Sequence, residues 1–500
     1  MSNSILPSAI ARKWLYVVMG PAIFLIIQLT VGTDVMPLAA RSTLACTLWI
    51  AIWWITEAIP IAATSLLPLV LFPVTGALGM SQTANPYSNP IIYLYAGGFM
   101  IALAMEKWNL HRRIALNIIS LTGTNMHQII LGFMLATAFL SMWISNTATS
   151  VMMLPIGIAI VQQFQHVLQS ERGQEEGEKF AQALMLGIAY AASIGGISTL
   201  VGSPTNLVFS GFVQRTYGVD IAFSQWMMLG VPISAFLLII CWQHLVRIAY
   251  KLGKGTVHGG KELIEEEKKA MGQMSTEEKR VLGVFIVVAF LWISRKYLIN
   301  PFFPPVNDTI IALAGALVLF IIPSPSKPHD QLMDWQTALK LPWGILLLFG
   351  GGFAIAEAFD ESGLAAWMGE KLVLLETVPF FLILLIIIIT VNFLTEITSN
   401  VATCTLMMPV LAELAPSIGV HPYGMMIGAT MAASCAFMLP VATPPNAVVF
   451  GSGYLKIPDM VRAGFLLNVI SAIMITLFLY YLLPYVWNID LEAFPATFAE

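Results

Sequence analysis

Residues 145–156 read SNTATSVMMLPI, and residues 399–410 read SNVATCTLMMPV. Each polar stretch lies inside strongly apolar sequence. Ser, Asn and Thr compete for nearby backbone groups, so they favour caps and turns over helix interiors. At a helix start, Ser145 and Asn146 can cap the arm that follows. The free N–H groups and positive dipole end there make an anion site. The free carbonyls closing the preceding arm suit a small hard cation such as Na+. A second pair of interruptions follows each stretch: Gly202-Ser203-Pro204-Thr205-Asn206 and Ala442-Thr443-Pro444-Pro445-Asn446. Pro removes a donor and disrupts the i−4 bond, which leaves carbonyls unpaired. Together these residues offer hydroxyl, amide and N–H donors without Arg or Lys. They fit a small anion carrying two charged groups, with cations balancing its charge.

The elements that must position these groups are themselves duplicated. GGFMIALAMEKWNL (97–110) precedes the first stretch and GGFAIAEAFDESGL (351–364) precedes the second. The GGF pair and the SN pair share one offset, 254 residues. Downstream, AASIGGISTLVGSPTNLVFSGF (191–212) resembles AASCAFMLPVATPPNAVVFGSG (432–453), with Gly202–Asn206 aligned to Ala442–Asn446 at an offset of 240. The polar loop SERGQEEGEKF absorbs the difference. A single SNT in a membrane helix is commonly packing or capping. Two copies in register, both followed by a P-x-N break, indicate a binding site. Arg112 and Arg113 follow the first GGF helix, whereas Asp360 and Glu361 follow the second. The positive-inside rule puts those ends on opposite sides, so the repeats are inverted. Two inverted halves bring both hairpin tips and both breaks to the membrane midplane.

Composition says what surrounds these elements. The 500 residues are 58% hydrophobic and 10% charged, with mean hydropathy +0.80. Soluble chains carry about 25% charged residues, so lipid must be the solvent here. Runs such as 15–32, 226–246 and 464–486 are long enough to cross about 30 Å of hydrocarbon, and they lack the alternation of a membrane β-barrel. The reading is an all-α integral membrane protein. A net charge of −4 says little about partners, and no nucleic-acid partner is expected. Cys46, Cys241, Cys404 and Cys435 are scattered without CxxC, and read as buried small hydrophobes. The seven histidines form no HxxxH or HExxH, and there is no Walker loop or GxSxG. Zinc chemistry, ATP drive and Ser-hydrolase catalysis are unsupported, and the chain is not read as an enzyme.

Spans are expected near 15–32, 41–58, 61–79, 91–105, 180–212, 226–249, 281–299, 307–323, 343–359, 424–454 and 463–486. The stretches 128–163 and 378–414 are read as hairpins that dip in and return, with the first turn at Ser145-Asn146-Thr147. With the N-terminus in the cytoplasm, this places 19 of the 24 Lys and Arg on the cytoplasmic side. The C-terminus then lies outside. The polar segment 250–280 reads as a solvated amphipathic linker between the halves. Carboxylates inside the membrane are functional candidates by default. Glu57, Glu357 and Glu396 qualify. Glu57 reads as structural, and Glu396 as either a proton or cation relay or a hydrogen-bonding support for the second hairpin.

WWITEAIP (53–60), both SN-x-A-T motifs, GSPTN (202–206) and SCAFMLPVATPPNAVV (434–449) resemble the divalent anion/sodium symporter family, solute carrier family 13, over nearly the whole chain. The resemblance implies about eleven transmembrane helices and two re-entrant hairpins in two inverted repeats. It further implies a homodimer in the bacterial inner membrane and elevator-type exchange between scaffold and transport domains. On that reading residues 1–90, 226–342 and 459–500 are scaffold and linker. Residues 91–225 (hairpin 128–163, broken helix 180–212) and 343–458 (hairpin 378–414, broken helix 424–454) carry the transport elements. The implied activity is Na+-coupled uptake of C4-dicarboxylates such as succinate, fumarate and malate. One Na+ would meet Ser141, Ser145, Asn146 and Gly202, and a second Thr395, Thr398, Asn400 and Ala442. The carboxylates would meet Asn146, Thr147, Ser203, Pro204, Ser399, Asn400, Thr443 and Pro444. Val401 departs from the Thr found in many bacterial relatives, which removes a hydroxyl and leaves open citrate, sulfate or another dianion, carried with Na+ or with protons.

Overall fold

A computed structural model describes residues 6–167, 171–253, 260–327, 330–372 and 377–498. They fold almost entirely as helices, and the β structure among them is one isolated bridge between Pro323 and Gln331. Eight helices among the described residues have the length and apolarity to cross a membrane. The protein is therefore a multi-pass membrane protein. The first helix, Leu6–Thr30, packs on Leu38–Thr56 and leaves Leu25, Ile26 and Leu29 exposed. In water such a face would be costly, whereas against lipid it is the expected surface.

The two GGF helices are Pro90–Lys107 and Trp343–Glu361. The first starts on Pro90, with the Asn89 side chain accepting from the Ile91 N–H at 2.9 Å, a side-chain cap at the chain's re-entry. Their glycines permit close crossings. A Cβ on Gly97 would come within 2.8 Å of the Ala312 backbone, and one on Gly351 within 2.7 Å of the Ser65 carbonyl.

Each GGF helix leads through a short helix into a hairpin. The first hairpin is Met126–Ser141 and Asn146–Val167, and the second is Phe380–Leu394 and Asn400–Ser417. The leading arms have 16 and 15 residues, so at roughly 1.5 Å per residue they stop short of the far side. Re-entry follows from that length. The turn differs in detail from the sequence expectation. It occupies 142–145, and Asn146 and Thr147 already belong to the first turn of the return arm, because Ser145 supplies the cap.

The broken helices are Glu171–Gly196 followed by Pro204–Tyr217, and Pro422–Ala433 followed by Pro444–Phe450. Pro422–Ala433 is wholly buried, and Glu171–Gly196 nearly so from Phe180 onward, each packed against both arms of its own hairpin. The halves interlock. The return arm of the first hairpin packs against Pro444–Phe450, and that of the second against Pro204–Tyr217.

Two expectations change. The span expected at 61–79 is Ile61–Thr64 and Leu67–Thr75, bent at Ser65 and Leu66. It is too short to cross without its neighbours. The linker 250–280, whose residues 254–259 lie outside the described ones, is not simply solvated. It forms the helix Gly260–Ala270, buries Ile264, and docks on Leu110–Ser120 through the Arg112–Glu267 ion pair. Lys268 Nζ adds a bond to Ser120 Oγ at 3.1 Å. Apolar periodicity cannot report such an ion pair, because its partners are 155 residues apart.

Candidate functional site

The first half places an oxygen-rich cluster where the first hairpin meets its broken helix. Ser141 Oγ lies 2.6 Å from Asn146 Oδ1 and 2.7 Å from the Ala192 carbonyl. A hydroxyl has one proton, so it can donate to only one of these acceptors. Asn146 Oδ1 also faces the Ala192 carbonyl at 3.1 Å and the Gly202 carbonyl at 3.3 Å. Such a crowd of lone pairs is relieved in two ways. The amide can turn its NH2 inward, since amide orientation is an assignment, or a cation can sit among the oxygens. The donor set is hard, neutral and buried, which fits a monovalent cation and not a soft metal. The space is tight by construction: a Cβ on Gly202 would fall 2.6 Å from the Gly196 carbonyl.

The second half repeats the arrangement. Thr395 Oγ1 lies 2.6 Å from Asn400 Oδ1 and 3.1 Å from the Ala433 carbonyl. Ser141 and Thr395, like Asn146 and Asn400, are 254 residues apart, so the sequence repeat is a repeat of geometry. Thr398 does not turn its hydroxyl to this cluster. It donates to the Leu394 carbonyl at 2.8 Å and meets Thr403 Oγ1 at 2.6 Å. Ser145 Oγ accepts from the Ala148 N–H at 3.1 Å, whereas Ser399 makes no side-chain cap bond. Ala442 is buried, with its N–H on the Leu439 carbonyl at 3.2 Å.

Four helix N-termini surround these clusters. Two begin at Asn146 and Asn400 in the return arms, and two at Pro204 and Pro444 after the breaks. Ser203 and Thr443 hold the extended cap positions with φ of −135° and −151°. Among the expected anion contacts Thr147 is exposed, Val401 is half-buried, and Pro444 is more exposed than Pro204. The halves differ in donors. Thr205 keeps its N–H where Pro445 has none. Ser203 Oγ is turned inward, 2.8 Å from Thr205 Oγ1 and 3.3 Å from Ser434 Oγ.

Several functional groups escaped the sequence reading. The break carbonyls are not all left unpaired. Asn206 Nδ2 donates to the Gly196 and Thr199 carbonyls at 3.0 and 2.7 Å. Asn446 Nδ2 does the same for Ala436 and Leu439, both at 3.0 Å. The Asn of each P-x-N motif is thus a tie that shapes the loop, and its recurrence at offset 240 was the signal that could have identified it. Glu396 resolves towards support. Its carboxylate accepts from the Phe437, Met438 and Leu439 N–H groups at 2.7, 2.9 and 3.0 Å, and from Asn468 Nδ2 at 2.7 Å. The second pre-break helix ends at Ala433, three residues short of the position equivalent to Gly196. Glu396 takes the amides that the missing turn would have bonded. Its counterpart in the first half is Met142, where the helix needs no such substitute. Glu357 is paired with Arg215 at 2.9 Å, and Glu57 is an exposed left-handed C-cap at φ 47°. Neither reaches the two clusters through a hydrogen bond among the described residues. No group of three or more His, Cys, Asp or Glu that could hold a metal ion occurs among the described residues.

Comparison with known proteins agrees with this architecture. Residues 11–487 match the family described as the sodium:sulfate symporter transmembrane region. The chain is 47% identical over 476 residues to the sodium-dependent dicarboxylate transporter SdcS of Staphylococcus saprophyticus, covering 95% of this chain and 92% of that protein. It is 46% identical over 485 residues to SdcS of Staphylococcus aureus strain USA300, covering 96% and 93%. Among solved structures it shares its fold with MtrF of Neisseria gonorrhoeae (TM-score 0.55, 11% identity, 90% of this chain and 96% of that one). It also shares it with the YdaH transporter of Alcanivorax borkumensis (TM-score 0.54, 12% identity, 87% and 98%). With a family match spanning nearly every helix, and relatives this similar along almost their whole length, the chain belongs to the divalent anion/sodium symporter family and is a membrane transporter, not an enzyme.

Proposed function

We propose that the chain is a Na+-coupled symporter that carries C4-dicarboxylates such as succinate, fumarate and malate into the cell. The observation that carries the reading is the duplicated oxygen cluster, Ser141–Asn146–Ala192 and Thr395–Asn400–Ala433, each beside a helix N-terminus. The names of the SdcS relatives, sodium-dependent dicarboxylate transporters, support it.

The chemistry divides along these elements. The first cluster holds one Na+ through Ser141, Ser145, Asn146 and Gly202, and the second holds another through Thr395, Asn400 and Ala442, with the Thr398 hydroxyl left on the Leu394 carbonyl. Each Asn closes a cation site with its carbonyl oxygen and sits at the N-terminus that faces the anion. Cation and anion sites therefore share a residue, and loading one builds the other. Asn146, Thr147, Ser203, Pro204, Ser399, Asn400, Thr443 and Pro444 line the anion space between the halves. The dipole ends favour the two carboxylates, and the bound cations offset their charge. Exchange of access follows an elevator mechanism, in which the hairpins and broken helices of 91–225 and 343–458 move against the remaining helices. The working form is a homodimer in the bacterial inner membrane, with its N-terminus in the cytoplasm and its C-terminus outside.

A second reading keeps Na+ coupling with another dianion, citrate or sulfate. Val401 favours it, because the second half loses a hydroxyl that the first half keeps in Thr147. Uptake of labelled succinate by reconstituted protein separates these readings. Uptake is expected with Na+ outside, and Asn146→Ala or Asn400→Ala is expected to reduce it at least a hundredfold. Equal uptake in K+ alone ends the Na+-coupled reading. Na+-dependent uptake of labelled sulfate or citrate, with none of labelled succinate, transfers the assignment to the other anion.

A further inference from the structure

We infer that Ser434 is a positioning residue that couples the two cation sites, so that filling one raises the affinity of the other. This rests on the two-site reading above.

Ser434 Oγ lies 2.8 Å from Thr205 Oγ1 and 3.3 Å from Ser203 Oγ, and Ser203 Oγ lies 2.8 Å from Thr205 Oγ1. The three hydroxyls are buried, with 2%, 0% and 4% exposure for Ser434, Thr205 and Ser203. They bridge the halves directly. Ser203 follows Gly202, whose carbonyl faces Asn146 in the first cluster. Ser434 follows Ala433, whose carbonyl accepts from Thr395 in the second. A shift of either loop on cation binding is therefore delivered through one hydroxyl to the loop of the other site. The bridge is one-sided. The residue aligned with Ser434 in the first half is Ser193, as the paired Ala192 and Ala433 carbonyls show, and its buried hydroxyl has no hydrogen-bond partner. Thr205 is fixed from a further direction, since its carbonyl accepts from Cys404 Sγ at 3.7 Å, on the return arm of the second hairpin. Between packed helices with few arrangements open to them, such a buried polar link transmits position and not merely attraction.

Coupling between sites is a free energy read as a change in affinity, typically about five- to 150-fold, and it is reciprocal. The test is Na+-dependent succinate uptake by reconstituted protein, at saturating succinate, over a full Na+ range. Wild type should be sigmoidal in Na+. Ser434→Ala should bring the Hill coefficient close to one and raise the Na+ half-saturation about three- to tenfold. The maximal rate at saturating Na+ should be retained. Thr205→Val, which removes the other end of the link at nearly constant volume, should do the same, and the double variant should be no worse than either single one. Thr43→Val, at a buried hydroxyl without a hydrogen-bond partner on Leu38–Thr56, outside both hairpins and both broken helices, should change nothing. A loss of packing alone would lower the maximal rate and leave the Hill coefficient unchanged. If wild type is cooperative and both variants keep its Hill coefficient, the coupling role of Ser434 is wrong. If wild type itself is hyperbolic in Na+, the two-site reading beneath it fails instead.

Discussion

Glu396 illustrates how a single side chain can stand in for a piece of backbone. An ionised carboxylate is acceptor-only and can take several donors, and here it accepts four. Glu396→Gln would turn an NH2 towards a backbone N–H that needs an acceptor. The expected cost is about 2 kcal/mol, read as a lower thermal midpoint in detergent. With all these donors on the carboxylate, we expect it to support the loop, and wild-type uptake at fixed Na+ should not respond to an imposed proton gradient. A rise in uptake with inward protons that vanishes in the Gln variant would restore the relay. The duplicated asparagines show the same economy. Asn146 and Asn400 close the clusters, while Asn206 and Asn446 tie the loops behind them, so one residue type fills two roles in each half.

At the level of elements, the C-terminal end of the first GGF helix is fastened more elaborately than its apolar face requires. Lys107 Nζ reaches Asp334 Oδ2 at 2.6 Å, and Trp108 Nε1 donates to the Leu332 carbonyl at 2.8 Å. The Asp334 carboxyl is held down to about 2 by the Lys107 hydrogen bond first, with the Thr337 N–H and hydroxyl adding to it. A carboxyl whose folded pKa is depressed stabilises the fold above its unfolded value, near 3.8. That stability is lost as pH falls from there towards 2. Lys107→Met should therefore lower the melting temperature at pH 7, and the gap to wild type should close as pH drops below about 4. A gap independent of pH would mean that the lysine acts through packing on Trp108, whose ring lies 5.2 Å below its Nζ. Arg215 and Glu357 join the helix after the first break to the second GGF helix. The halves are thus bound to each other by charge as well as by interlocked arms.

Over the whole molecule, the arrangement of charge and apolar surface predicts orientation. The Arg112, Arg113 and Lys107 network belongs to the cytoplasmic side under the positive-inside rule. Single cysteines placed at Lys327 and at Glu492, in a chain whose four buried cysteines are unpaired, test this directly. An impermeant thiol reagent added to intact cells should label position 492 and spare position 327. The reverse result overturns the proposed topology. The groove between Thr276–Ser294 and Asp308–Ile321 is apolar, with exposed Val287, Phe302 and Phe303. Lipid or a second copy is its natural neighbour.

The sequence by itself determined the membrane class, the two inverted halves and the polar stretches at the two hairpin turns, though Thr398, read with them, turns its hydroxyl to Leu394. These follow from composition, from the sign of charges at helix ends, and from one repeated register, all of which are local or periodic. Ser141 and Asn146 are close in the chain, so their partnership was within reach of motif reading. Only the tertiary structure decided which carbonyls join them. Ala192 lies 51 residues from Ser141, and hydropathy carries no record of which backbone oxygen a fold turns inward. It also decided the role of Glu396, because the missing helical turn that it replaces is a property of the second break and not of the residue. The Ser434 link, spanning 229 residues to Thr205, exists because two halves read separately in sequence are packed into one another in space.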